Sequence, residues 1–284
     1  MDARQRYLRI QAELGGPEVW LREGEKGEKG ENGEKGPAPP AVSASLVSPP
    51  SRPSRLVVEG GGGDRPSRPE GGRGWRSGAP PIPPGGVEVS SPSPQLLDFQ
   101  PDYSSLDDVA EAVRVCVRCT LCQSRSNAVP GEGPAQATLM CVGEGPGETE
   151  DRTGRPFVGR AGELLTEILA AIDLPRERVF IANVVKCRPP QNRKPLPDEI
   201  ATCLPYLRTQ IRLIRPKVLL ALGATAAEAL LGVRKSLNEL RGLVHRYDGI
   251  PLIVTYHPAA LLRNPNWKKP TWDDVRIARQ LLDA

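Results

Sequence analysis

Histidine occurs only twice in this 284-residue chain, phenylalanine three times, and aromatic residues make up 4% of it. There is no G-x-S-x-G and no H-E-x-x-H, so serine-hydrolase and zincin chemistry fall away. No run of about 18 apolar residues exists, so no membrane span is expected. Met1 to Ile10 carries three arginines but no apolar core, and does not read as a secretory signal. The chain is therefore expected in the cytoplasm. Disulfides are rare there, so its six cysteines point to metal binding or catalysis. Charge of one sign is also scarce. The formal net charge is +4, and residues 1–100 balance 13 basic against 13 acidic groups. Such a mild excess permits contact with nucleic acid without arguing for it, because binding needs a clustered patch.

Composition divides the chain in two. Pro and Gly fill 32 of the first 100 positions (15 and 17), but only 28 of the remaining 184 (16 and 12). A fraction near one-third, without a strict G-X-Y period, predicts a disordered low-complexity tail over residues 1–100. Within it, 1–22 allows a short helix. The repeat GEKGEKGENGEKG at 24–36 reads as a solvated linker. Pro37 to Pro94 is expected to have no fixed structure, with six arginines between Arg52 and Arg76. Residues 101–284 are predicted to form one folded domain, long enough for a real core.

Periodicity gives that domain its class. Ser104 or Ser105 can cap a helix reaching about Val115. Apolar strands are predicted at Ala137–Val142, Val179–Val185, Lys217–Leu222 and Leu252–Tyr256. Helices are predicted at Glu163–Ile172, Pro197–Ile214, Gly223–Leu231 and Thr271–Leu282. Strands apolar on both faces, alternating with helices, predict an α/β fold with a parallel sheet covered on both sides. Ligands then bind beyond the carboxyl ends of the strands. Three unusual segments fall there: Gly143–Asp151, Asn183–Pro190 and His257–Pro265.

Each segment offers distinct chemistry. GEGPGETED is not a dinucleotide fingerprint, because Pro146 interrupts it and no acidic residue ends the next strand. Its Glu144, between Gly143 and Gly145, can hold a water or stabilise positive charge on a reacting sugar. Phe157 lies in a Gly/Pro loop, as a core plug or as a wall for a planar base. Asn183 carries both an acceptor and a donor, so it reads a mixed edge or simply ends a strand. His257, held by Pro258, suits donation to an oxygen gaining negative charge. His245 reads as a structural residue in a turn. Cys116-x-x-Cys119 precedes the sheet, Cys122 makes a second C-x-x-C with Cys119, and Cys187 and Cys203 follow the second strand. Four thiolates suit structural zinc or an iron–sulfur cluster, and spacing does not choose between them. Cys141 reads as a buried apolar residue.

GEGPGETED, RPFVGRAG, NVVKCRPPQNRKPLPDEI and HPAALLRNP, together with the cysteines, resemble family 4 uracil-DNA glycosylases, the iron–sulfur type. The resemblance spans roughly residues 105–284. It implies a three-layer α/β/α sandwich with a four-stranded parallel sheet. It also implies a 4Fe-4S cluster on Cys116, Cys119, Cys187 and Cys203, with Cys122 left as an extra thiol. Glu144 matches the family's catalytic carboxylate, and His257 the histidine facing uracil O2. Gly143 and Gly145 would present backbone groups to uracil, Phe157 would stack on it, and Asn183 would read its edge. Leu261 and Leu262 read as exposed apolar residues that can wedge into the space the flipped base leaves, with Arg263 on phosphate. The implied activity is excision of uracil from DNA to leave an abasic site, by a monomer. Two other readings stand beside it: a non-catalytic iron–sulfur or zinc nucleic-acid-binding module, and a glycosylase for another deaminated base.

Overall fold

The computed structural model describes residues 74–76, 78–90 and 102–284. The expected helix within 1–22, the linker at 24–36 and the boundary at 100/101 lie outside these residues. In chain order the strands are β1 (Gly85–Val89), β2 (Leu139–Gly143), β3 (Phe180–Asn183), β4 (Val218–Leu222), β5 (Val244–Tyr247) and β6 (Ile250–Thr255). The helices are α1 (Leu106–Arg114), α2 (Glu148–Thr153), α3 (Arg160–Ala171), α4 (Pro197–Ile214), α5 (Ala224–Leu231), α6 (Leu237–Leu240), α7 (Pro258–Arg263) and α8 (Lys268–Asp283).

The strands form one sheet in the order β1-β5-β6-β4-β2-β3. Strands β3, β2, β4 and β6 are mutually parallel and correspond to the four expected strands. Strand alternation sorts their side chains. Leu139, Cys141, Leu220 and Leu222 pack with α3 and α8 on one face. Met140, Val142, Leu219 and Ala221 pack with α1, α4 and α5 on the other. Both faces are thus dry, and helices cover both, which is the three-layer sandwich. Ser105 caps α1 as expected: its hydroxyl accepts from Asp108 N, and the Asp108 carboxylate accepts from Ser105 N.

Two strands extend the expected four. Strand β5 runs antiparallel to β6, and β1 joins β5 in parallel at the edge. His245 therefore lies in a strand, not a turn, and is fully buried. Its Nδ1 accepts from Val87 N at 2.9 Å and its Nε2 donates to Leu240 O at 2.7 Å. Both ring nitrogens are used, so its role is structural, as expected. A Cβ on Gly86 would meet that ring at 2.5 Å, so only glycine lets β1 approach so closely.

The expectation of no fixed structure as far as Pro94 is corrected for residues 78–90. Val87 and Val89 pack against the core cluster. Just upstream, Trp75 is buried against α8, with its carbonyl accepting from Arg276 Nε at 2.9 Å. Proline and glycine content hid one tryptophan and a V-E-V alternation. Among the described residues, no helix is long and apolar enough to cross a membrane.

Candidate functional site

The carboxyl ends of β2, β3, β4 and β6 open into a cavity of about 570 Å³. Glu144, Gly145, Phe157, Asn183, His257 and Arg263 all line it. These residues come from four separate chain segments, three of which the parallel sheet brings together at its carboxyl edge.

Glu144 follows β2. The Thr225 hydroxyl, at the start of α5, donates a very short hydrogen bond to its Oε2. That contact holds the carboxylate of Glu144, which lines the cavity. Asn183 ends β3 and is buried, yet its Oδ1 has no hydrogen-bond partner. A buried amide oxygen without a donor costs about 1–3 kcal/mol, so the cavity offers an acceptor awaiting a ligand N–H. Gly143 keeps room for this arrangement. A Cβ there would lie 2.4 Å from Asn183 Oδ1 and 2.5 Å from Phe157 Cζ.

Phe157 holds a left-handed backbone, φ 50°. Arg176 Nη1 donates to its carbonyl at 2.8 Å, and Arg176 also holds the carbonyl of Pro156. Glu150 Oε1 accepts from Val158 N and Gly159 N, each at 2.9 Å. A Cβ on Gly162 would strike the Phe157 carbonyl at 1.9 Å, so glycine beneath the loop is required. The Phe157 ring leans on the His257 ring, with centroids 5.4 Å apart and planes at 31°.

His257 caps α7: its Nδ1 accepts from Ala259 N at 3.1 Å. With Nδ1 accepting, the proton sits on Nε2, which is left as a donor. Burial pushes its pKa down to about 4, and nearby Arg263 adds to that, with Glu150 opposing. The imidazole is neutral at pH 7. It can donate a hydrogen bond without carrying charge.

One site expectation is corrected. Leu261 is not an exposed wedge; it is fully buried in the core below α7. Residues 258–263 are a helix rather than a loop, so Leu261 turns inward while its neighbour Leu262 stays exposed. Three positioning groups escaped the sequence reading: Thr225, Arg176 and Glu150. Thr225 carried one signal, its place just past the end of a strand, as the other three segments had.

Cys116, Cys119, Cys122, Cys187 and Cys203 line a second, smaller cavity. They converge from the end of α1, the turn Thr120–Gln123, the segment after β3, and α4. Arg125 Nη1 donates to Cys187 Sγ at 3.0 Å, and Lys186 N donates to Cys203 Sγ at 3.3 Å. Buried Glu199 ties α4 to this turn, accepting from Arg193 Nη2 at 2.7 Å and from Thr120 Oγ1 at 3.4 Å. Burial pushes the Cys203 thiol up to about 12 and raises those of Cys119 and Cys187. Thiolates packed so close need a cationic centre between them. Among the described residues, no three His, Cys, Asp or Glu side chains are arranged to grip a single metal ion. A sulfur-only donor set spread over one cavity fits an iron–sulfur cluster.

The family model of the uracil DNA glycosylase superfamily matches residues 130–278. The type-4 uracil-DNA glycosylase of Sulfurisphaera tokodaii is 48% identical over 186 residues, spanning 62% of this chain and 84% of that protein. That of Thermotoga maritima is 50% identical over 181 residues, spanning 62% and 94%. A type-5 uracil-DNA glycosylase of Thermus thermophilus is 36% identical over 149 residues, spanning 45% and 68%.

Proposed function

The chain belongs to the uracil DNA glycosylase superfamily, and from that premise we propose that it hydrolyses the bond between uracil and deoxyribose in DNA. The observation that carries the reading is the unpartnered Asn183 Oδ1, buried at the cavity wall beside Glu144 and His257. Uracil presents an N3–H donor beside its O4 acceptor, and the Asn183 amide answers both. Cytosine presents the reverse pattern. The base must leave the stack to be read in this way. Phe157 then covers one face of it, and the backbone at Gly143 and Gly145 lies along its edge.

Breaking the glycosidic bond leaves positive charge on the sugar and negative charge on uracil. The Glu144 carboxylate, held by Thr225, stabilises the sugar cation and orients the attacking water. The His257 Nε2–H donates to uracil O2 as its charge grows. Water oxygen bonds to C1′, the electron pair of the broken bond leaves with uracil, and the released proton goes to solvent. The product is an abasic site with an intact backbone. Leu262 fills the vacated space and Arg263 contacts phosphate.

Cys116, Cys119, Cys187 and Cys203 are the proposed ligands of a 4Fe-4S cluster. When bound, it supplies a structural cross-link rather than redox chemistry, since hydrolysis moves no net electrons. It would join the end of α1 to the segment that follows Asn183. The catalytic unit is assigned to residues 101–284 with strand β1 added. A monomer is proposed, and a cytoplasmic place accords with six cysteines none of which pairs in a disulfide.

Single-turnover assays with uracil, hypoxanthine or xanthine in the same DNA test the reading. Uracil release with an alkali-labile abasic site is expected. Borohydride should trap nothing, because no lysine is assigned as nucleophile. Excision of hypoxanthine but not uracil would overturn it, as would no excision by iron-loaded protein.

A further inference from the structure

Leu262 and Trp267 are among the few large apolar side chains the described surface exposes, at 42% and 37%. Both lie on the stretch that leaves the pocket after His257. Leu262 is already part of the reading above, whereas Trp267 has no role in it.

Trp267 sits on a built pedestal. Its ring lies parallel to that of Tyr256, with centroids 4.7 Å apart and planes at 3°. The Arg241 guanidinium carbon lies 4.4 Å from the same Tyr256 centroid. Both groups pack against the Tyr256 ring. The Tyr256 hydroxyl donates to Asn238 Oδ1 at 2.7 Å. Arg241 pairs with buried Asp274 at 2.7 Å, and the Thr255 hydroxyl donates to the same carboxylate at 2.7 Å. The Trp267 carbonyl accepts from Thr271 Oγ1 at 2.8 Å, which fastens the turn onto α8.

A core tryptophan is covered on both faces, as Trp75 and Trp272 are. Trp267 is covered by Tyr256 on one face and keeps substantial exposure. Exposed Arg263, at the pocket rim, and exposed Lys269 lie on either side of it in sequence. A rigid aromatic face between cations is complementary to a flat base joined to phosphate.

We propose that Trp267 is a stacking platform for an unpaired DNA base beside the nucleotide held in the pocket. The inference rests on the glycosylase reading and adds a subsite to it. A base inside a duplex already has stacked neighbours on both faces and gains little. An unpaired base has a face to offer, so the platform favours single-stranded or locally opened DNA.

The test uses the full chain, iron-loaded, and uracil-free oligonucleotides at one fixed salt concentration. Trp267→Ala should weaken binding to a single strand at least about fivefold, the lower end of what one stacked base contributes. Its affinity for the matching duplex should change less than about twofold by the same argument. Trp267→Phe should recover part of the loss. A single strand should also quench the parent's tryptophan fluorescence, and Trp267→Phe should lose most of that quench. With uracil in the single strand, the Trp267→Ala defect should fall on KM rather than on kcat. Equal loss on both DNA forms would overturn the proposal, since a merely structural role does not separate them. So would parent-like single-strand affinity in Trp267→Ala, or an unchanged quench in Trp267→Phe. Failure of the parent to excise uracil would sink the glycosylase reading, whereas these uracil-free measurements decide the platform on their own.

Discussion

Thr225 offers the sharpest test of the proposed site, because its single role can be removed without changing its shape. Thr225→Val keeps the branched side chain in its buried place and deletes the donor to Glu144 Oε2. A hydrogen bond to a charged group is worth about 1.5–3 kcal/mol. If that energy holds the carboxylate in its reactive orientation, the single-turnover rate should fall about 10- to 150-fold. Thr225→Ser restores the hydroxyl and should recover most of the rate. Glu144→Ala should cost about 10²–10³-fold, as loss of one well-placed electrostatic group does. The double variant decides the mechanism. If Thr225 acts only through Glu144, then Thr225→Val added to Glu144→Ala should slow the reaction no further. The assay is uracil release under single turnover at saturating DNA, with iron content matched. Fully additive losses would refute the argument, as would a Thr225→Ser variant as slow as Thr225→Val.

Four further outcomes follow from the same geometry. Asn183→Asp should slow uracil excision, since a carboxylate faces uracil O4 where an NH2 stood, and cytosine release at acidic pH measures the altered edge. Cys116→Ser should lower iron content while Cys122→Ser leaves it intact, by iron and sulfide analysis; the opposite result would move the ligand pair to Cys119 and Cys122. Trp75→Ala should destabilise the fold by about 3–5 kcal/mol in denaturant melts, so a chain started near Gln95, which also lacks β1, should be less stable than one started near residue 74. His257 has a folded pKa below its unfolded value, so its contribution to stability is complete above about pH 6.5 and is lost as pH falls toward 4; His257→Gln should flatten that part of the stability–pH curve.

Much of this fold was legible because its central strands are buried on both faces. An uninterrupted apolar run such as LMCV has little choice but an inner strand, and α4 begins and ends where its proline and apolar stripe predict. What escaped depends on contacts distant in sequence. Strand β1 exists because Val87 N finds His245 Nδ1 across 158 positions, and no local pattern in a Pro/Gly-rich stretch announces that. Leu261 and Leu262 looked alike as neighbours in a polar segment. About 100° of helical rotation separates them, which turns one into the core and leaves the other exposed. Thr225 was passed over because, beyond its place after a strand, GATAA reads as an ordinary helix start. Its hydroxyl matters only because β2 and β4 are sheet neighbours, which sets Glu144 beside α5.

Phe157 illustrates how such distant contacts sustain a site that local preference opposes. A phenylalanine at φ 50° costs of order 1–3 kcal/mol in backbone strain, and nothing within RPFVG favours it. Arg176 offsets that cost from outside the loop by holding the Pro156 and Phe157 carbonyls. Glu150 adds two backbone bonds on the other side, and Gly162 removes the Cβ that would otherwise push the loop away. The same clamp that enforces the strain also aims the ring across the pocket at His257 and sets its closest approach to Gly143. A ring so fixed needs no reordering when a planar base arrives. The strained backbone and the flat pocket wall are thus one device, built by side chains from α2 and the turn before β3 and by the bare backbone of Gly162 in α3.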